Sequence, residues 1–546
     1  MEISSSTEGS LQRPKVGCLS NNDCNGKEFG KFYQWGYQVK LSVFVSAIAI
    51  GGLAASANAA DLGGADAYGA YSSHSTPAPL IANFFDGAAP GSMTVAGITV
   101  YGAVDFSAVY NSHGASPTGT LYQGSLYQIS KISGGPQFNA TNNAMSQSFV
   151  GVKANEKLND LFGVDSLAGW SFISDAQIGF DPAWGDIADV CRTLRMNNGL
   201  GAVPLEQTAN LDGSRCGQIF NGVLYGGIKN NDFGQLTYGR HNSLLNDALG
   251  AYDPAAGSYA FSLFAFSGTV GGGGGDTEDA RWNNSIRYAN TIGIFRVAGM
   301  YRFEGMEQGG DAYSGNVGVD LPGELKGLSI DGVYAHFNKA ISASNLSAGD
   351  CAALAASIGA CQRLDMLSAT VSNNDVWSIM AKYNLGRFGL DNVTAMGGYE
   401  HINYSNPNGQ LDSLTTIGGY GLFDGDVNYN KYLSDKQLDL FWFGGKWAIT
   451  PKLTAAAAWY HYDQNTFVTN SGTSTTASKC NGKSGTAASG NCAGSFDWVS
   501  ASLDYQLTKR LDLYAGVSYS QADDGLASGF TYTNTWNPAF GARFRF

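Results

Sequence analysis

Charge is what this 546-residue sequence has least of: only 14% of its side chains are charged, against about 25% in ordinary globular chains. Proline is scarce, with 13 against 73 glycines, and there are only six histidines. Long apolar runs are missing too. Outside one N-terminal candidate, no stretch supplies the ~20 apolar residues of a spanning helix, which excludes a multi-helix membrane protein. A basic excess is also absent: 32 Lys and Arg face 45 Asp and Glu, a net charge of −13. That balance repels phosphate and argues against a nucleic-acid binder. The length alone would allow several soluble domains at roughly 150 residues each. What is present points elsewhere. Aromatics reach 12% while mean hydropathy stays near zero, at −0.13. A transmembrane antiparallel β-barrel produces this balance, because apolar outward residues alternate with polar inward ones and the average cancels.

The N-terminal candidate reads LSVFVSAIAIGGLAASANAA over residues 41–60. Lys31 and Lys40 precede an apolar run from Leu41 to about Ala55, and Ala57-Asn58-Ala59 supplies a small-residue cleavage site. This is the layout of a secretory signal peptide cut before Ala60. The run is too short and too interrupted by Ser and Gly to read as an anchor. Because a signal peptide normally opens a chain, Val39 is the expected initiation point. Residues 60–91 are small, polar and Pro-bearing, and read as a flexible extension before a domain over 92–546.

Six of the eight cysteines survive cleavage: Cys191, Cys216, Cys351, Cys361, Cys480 and Cys492. Export permits disulfides, and the three local clusters favour nearest-neighbour pairing among the 15 connectivities that six cysteines allow. Zinc is the rival, but no histidine lies near these pairs and no CxxC occurs, so no metal is expected.

From Ser92 onward a period-two pattern runs to the last residue. Val499, Ala501, Leu503 and Tyr505 alternate with Trp498, Ser500, Ser502 and Asp504, giving one face for lipid and one for water. The segments fall at about 94–110, 146–157, 167–180, 219–229, 234–240, 282–290, 294–304, 312–320, 327–338, 375–385, 391–402, 437–449, 453–463, 496–506, 511–521 and 535–546. These sixteen have the length of tilted membrane strands. Short links at 230–233, 291–293, 386–390, 450–452 and 507–510 alternate with long ones at 111–145, 181–218, 241–281, 339–374, 403–436 and 464–495. Short periplasmic turns and long external loops are the habit of outer-membrane barrels. An even strand count leaves both ends on the periplasmic side, and all cysteine pairs fall in long links.

At this point the sequence resembles the Gram-negative general porin family of trimeric, sixteen-stranded barrels. The resemblance rests on Ile98-Thr99-Val100-Tyr101-Gly102-Ala103-Val104-Asp105 as a first strand, and on Phe233-Gly234-Gln235-Leu236-Thr237-Tyr238-Gly239-Arg240 before the third loop. It rests further on Asn284-Ser285-Ile286-Arg287-Tyr288, on Val297-Ala298-Gly299-Met300-Tyr301, and on the terminal Phe546. It implies passive diffusion of small hydrophilic solutes and ions through a water-filled pore in the outer membrane, without a cofactor. It also implies a homotrimer, a third loop folded into the lumen, and reading of Phe546 by the barrel-assembly machinery. Arg240 and Arg287 match basic wall positions of the family. The second-strand arginine is missing, since Phe149 stands in Ser148-Phe149-Val150-Gly151-Val152-Lys153, and the first strand offers Ala103 and Asp105.

The third loop, 241–281, carries Asp247, Asp253, Asp276, Glu278 and Asp279. Carboxylates facing basic wall residues set ion preference, so the constriction candidates are Arg240, Arg287, Arg296, Asp105, Asp247 and Asp253. Strand parity turns Arg287, Arg296, Arg302, Lys382, Lys446, Arg543 and Arg545 inward. The net negative charge leans toward cations. The run Gly271–Gly275 is not a phosphate loop, since no Lys-Ser or Lys-Thr follows it. The scattered histidines, His74, His113, His241, His336, His401 and His461, form no nucleophile motif. Parity separates His461, outward, from Ser500, inward. An enzyme is therefore not expected. The alternatives are a solute-selective channel, or an adhesin or structural barrel.

Overall fold

The computed structural model describes residues 93–95, 97–114, 126–129, 135–187, 211–212, 219–265, 281–304, 310–345, 366–407, 416–417, 420–429, 431–470, 492–527 and 530–546. The signal peptide, the extension over 60–91, the glycine run, Asp276, Glu278, Asp279 and every cysteine except Cys492 lie outside these residues.

Sixteen strands form the wall: β1 (Ile98–Asn111), β2 (Ser148–Lys157), β3 (Trp170–Asp181), β4 (Leu224–Asn230), β5 (Gly234–Asn242), β6 (Arg281–Ile292), β7 (Phe295–Arg302), β8 (Ala312–Asp320), β9 (Leu328–Asn345), β10 (Met366–Asn384), β11 (Val393–Ser405), β12 (Lys436–Thr450), β13 (Leu453–Gln464), β14 (Gly494–Gln506), β15 (Leu511–Asp524) and β16 (Asn534–Arg545). Each pairs antiparallel with the next, and β1 pairs β16 from Ala103↔Arg545 to Val109↔Ala539, closing the barrel. Closure leaves no unpaired sheet edge, the condition for a sheet to cross hydrocarbon. All sixteen expected segments are present. β9 and β10 run further than the alternation indicates, pairing out to Asn345↔Leu367. A further piece, Gln137–Asn142, pairs the outer half of β1 while β2 pairs its inner half.

Parity governs the two faces of the wall. On β12, Phe443 and Trp447 are 64% and 49% exposed, whereas Trp442 between strand neighbours is buried. On β14, Val499 and Leu503 point out while Trp498, Ser500 and Ser502 are buried. The inner face differs from the simple expectation of a water-facing surface. It carries Phe337, Leu438, Leu440, Trp442, Tyr460, Tyr462, Phe496 and Trp498 in one apolar cluster. These residues need a cover, and the β5–β6 loop supplies it.

That cover begins with helix α1 (Leu244–Tyr252), which the alternation reading leaves as loop. Ser243 caps it, its Oγ accepting from the Asn246 amide at 3.1 Å, and so satisfies one of the free first-turn donors. Leu244, Leu245, Ala248, Leu249 and Tyr252 recur at helical spacing and all are buried. Each leucine so covered contributes about 1.5–3 kcal/mol, so the loop is held against the wall by its apolar face.

Candidate functional site

The β5–β6 loop turns into the barrel and follows the wall. Beyond α1, the Trp442 indole donates to the Tyr252 carbonyl at 3.2 Å, and Phe264 packs edge-on against Trp442 and Tyr460 at 5.0 and 5.3 Å. Ser500 donates to the Phe261 carbonyl at 2.6 Å. Glycines admit this approach: a β-carbon on Gly444 would meet Pro254 at 2.8 Å, and one on Gly516 would meet the Phe261 ring at 2.7 Å. The loop then reaches the segment before β2, where the Ala260 amide donates to the Ala144 carbonyl at 2.9 Å. Tyr259 donates to the Gln147 side chain there at 2.8 Å. It thus lies along the wall from β7 to β15 and reaches the segment before β2, narrowing the lumen.

One ion pair and one hydrogen-bonded cluster pin α1. Arg287 on β6 meets Asp247 at 2.8 Å, with both side chains under a tenth exposed. Asn242 donates to the same carboxylate at 2.9 Å. Further along, Arg296 on β7 bonds Asp331 on β9 at 2.6 Å and also pairs Asp320. The Tyr252 hydroxyl donates to Asp331 and accepts from Arg296 at 3.1 Å, so the last residue of α1 joins this cluster. Burial, and then the Asp331 carboxylate beside it, hold the Tyr252 phenol well above its ordinary range, so it stays protonated. The Lys382 ammonium lies 4.9 Å from the Tyr252 ring centre and 3.5 Å from the Ala251 carbonyl.

The expected residues separate accordingly. Arg287, Asp247 and Arg296 meet at the loop–wall contact. Asp253 is fully buried and turned back into the loop, where it accepts from the Ala255 and Gly257 amides, from Ser262 and from Tyr460. Its role is to close the turn after α1, and its oxygens do not face the lumen. Asp105 is likewise buried, accepting from the Met145 and Ser146 amides at 2.9 and 3.0 Å and from Tyr514. Arg240 falls away from the group. It stands opposite Leu224, on the face that carries Tyr238 and Leu236, and bonds the Gly222 and Asn221 carbonyls and Asn283. Gly239 beside it has a positive φ, and the pairing of β5 with β6 shifts between Trp282 and Ser285. Phe546 pairs its backbone with Gly102 through two 3.0 Å hydrogen bonds.

Tyr252 and Asp331 are missed by the charge reading. The recurrence of apolar residues at 244, 245, 248, 249 and 252 is the signal that would have found the first. His461 pairs with Asp497 at 2.9 Å on the outward face, while Ser500 points in. No group of three or more potential metal ligands occurs among the described residues.

The inner wall of β1–β4 carries a different surface. The Tyr101 hydroxyl donates to Asp175 at 2.5 Å and accepts from Gln177 at 2.7 Å. Phe149 meets the Tyr101 ring edge-on at 5.6 Å, and Tyr225 stacks on His241 at 4.8 Å.

Comparison with known proteins places these observations. A family profile described as Gram-negative porin matches residues 45–525. None of the curated proteins compared with the chain matches it. Among solved structures, an anion-selective porin from Comamonas acidovorans is 14% identical, with 82% of this chain and 99% of that one covered at a TM-score of 0.48. OmpT of Vibrio cholerae is 12% identical over 83% of this chain and 99% of its own, at 0.45. Salmonella typhi OmpF, solved with daunomycin, is 13% identical over 82% and 97%, at 0.42.

Proposed function

Because this chain belongs to the Gram-negative porin family and is an outer-membrane channel for small solutes, we propose that it passes small hydrophilic solutes and ions by passive diffusion past a constriction built by α1 and its loop. The observation that carries this reading is the Arg287–Asp247 contact, which fastens an inward loop to the wall at 2.8 Å. A loop fixed inside a closed barrel sets the width of the path, and the charges around it set the field a solute crosses. Transport then needs no cofactor and follows the concentration gradient, and the chemistry is that of a channel rather than an enzyme.

Arg287, Arg296 and Asp247 are the constriction residues of this reading, with Lys382 and Tyr252 added. Asp253 and Asp105 brace the loop and the wall, and Arg240 braces the end of β5. The assembly is a homotrimer in outer-membrane lipid, delivered by the signal peptide that ends the upstream segment 1–59 and handed to the barrel-assembly machinery through Phe546. The cysteines close external loops as disulfides, a reading supported by the buried, disulfide-bonded Cys492.

Liposomes carrying the refolded protein test the proposal. Swelling in a series of neutral solutes is expected to be fast for the smallest and to fall steeply with solute size. Swelling no faster than in protein-free liposomes for every solute would reject it.

A further inference from the structure

Loops normally run over a protein's surface, because a buried one would leave backbone polar groups unpaired. The long β1–β2 link contains an exception. Leu126, Tyr127, Gln128 and Ile129 are all buried, with Tyr127 fully so. Their partners on the wall are Ser107 and Asn111 of β1 and Asn537 of β16. These positions face inward, since the strand neighbours Phe106, Tyr110 and Trp536 are outward and exposed. The segment therefore lies inside the barrel, against the two strands that close it.

Its backbone sits in a fitted dock. The Asn111 carboxamide donates to the Leu126 carbonyl at 3.1 Å and to the Gln128 carbonyl at 2.7 Å. Asn537 donates to the Tyr127 carbonyl between them at 2.6 Å. Asn111 is itself oriented, because the Thr535 hydroxyl donates to its oxygen at 2.6 Å and leaves the NH2 group to the link. A β-carbon on Gly114 would run into that carboxamide, so glycine lets the link pass the pinned side chain. Successive carbonyls are thus satisfied by two buried wall asparagines. The Tyr127 side chain adds a further hold: its hydroxyl donates to the Asn142 carbonyl and accepts from Ser107, both at 2.7 Å.

The dock also joins the β5–β6 loop. Asn142 closely precedes Ala144, whose carbonyl accepts from the Ala260 amide of that loop. Ile129 belongs to the same apolar cluster as Leu244, Leu249 and Leu263. The β5–β6 loop follows the wall as far as Gly516 of β15, and the 126–129 segment takes up the wall of β16 and β1 beyond it. Both occupy one lumen, and the path through a closed barrel is only as wide as its inward segments leave it. We propose that residues 126–129 are a second narrowing segment of the pore, and that Tyr127 is the positioning residue that holds it against the wall and so sets the size limit for neutral solutes. Tyr127 is fully buried and acts through the backbone it fixes, not by touching solute. This deepens the diffusion-channel reading and rests on it.

The test compares single-channel conductance and liposome swelling of the refolded full-length protein and three variants. Glucose and the trisaccharide raffinose are the neutral probes. Tyr127→Ala removes the ring and both hydroxyl bonds. It should raise conductance, and raise the raffinose-to-glucose swelling ratio by about twofold or more, because pore width governs the passage of uncharged solutes. Tyr127→Phe keeps the ring and loses only the hydroxyl, and should fall between that variant and wild type. Asn537→Ala leaves Tyr127 whole and frees its carbonyl. It should move both readouts in the same direction, and it decides the matter if Tyr127→Ala does not refold. Inserted variants that unfold at lower temperature yet keep wild-type conductance and swelling ratio would overturn the second segment and leave the β5–β6 constriction standing. A fall in either readout would overturn it too. Wild-type protein that passes no solute would overturn both readings.

Discussion

Arg287 of the barrel wall and Asp247 of the inward helix meet at 2.8 Å, and neither side chain has more than a tenth of its surface open to water. Such a pair is costly to break from one side, since the remaining charge stays buried without its partner, at about 3–5 kcal/mol. Replacing Asp247 by Asn or Arg287 by Gln is therefore expected to loosen α1. Single-channel records should show larger and noisier open states, with a shifted reversal potential. Wild-type conductance and noise in both variants would remove this pair from the constriction.

Tyr252 ends α1 at a second anchor, with its hydroxyl between Asp331 and Arg296. Tyr252→Phe keeps the ring over Lys382 and removes the hydroxyl, leaving buried partners short of a hydrogen bond at about 1–3 kcal/mol. The phenol is held above its ordinary range by burial and by Asp331. Folding therefore favours its protonated form. Its contribution should be whole below a free value of about 10 and fade as pH climbs beyond that. Thermal unfolding in detergent should be lower for the variant at pH 7 and converge with wild type in strong alkali. A constant difference at every pH would contradict this assignment.

Asp253 looks in the sequence like another lumen carboxylate, yet the structure buries it among two amides, Ser262 and Tyr460. Asp253→Asn puts an NH2 group where only donors converge. The expected effect is a stability loss of about 1–3 kcal/mol with far less change in reversal potential than Asp247→Asn gives. A selectivity change without a stability loss would return Asp253 to the lumen.

Period-two alternation made the wall legible, because a residue on a barrel strand must commit to lipid or lumen, and a slip of one residue would reverse every side chain. All sixteen strands and the inward direction of Arg287, Arg296 and Ser500 follow from it. The site was legible only in part. Arg240 matches a basic wall position of the family yet shares the outward parity of Leu236 and Tyr238, and Asp253 misleads because composition does not say which way a loop carboxylate turns. The inward apolar cluster around Trp442 and Tyr460 departs from the water-facing surface that alternation implies, since its cover lies far away in sequence. Only the helical spacing of Leu245, Leu249 and Tyr252 announces that cover.

Phe443 lies midway along β12 on the outward face, 64% exposed. Phe443→Arg puts a charge toward hydrocarbon at about 2–4 kcal/mol near the midplane. Ser502→Arg, at an inward position, should cost much less. Urea titration of folding into lipid vesicles measures both. Equal costs would contradict the assignment of faces.

The central claim is that the closed barrel is an open, water-filled path narrowed by its β5–β6 loop. Conductance of the refolded protein in a planar bilayer tests it most directly. The account predicts stable open channels inserting in groups of three equal steps, with conductance proportional to salt concentration. A bilayer that stays silent at every voltage and salt concentration, with the barrel shown to be inserted, would contradict it.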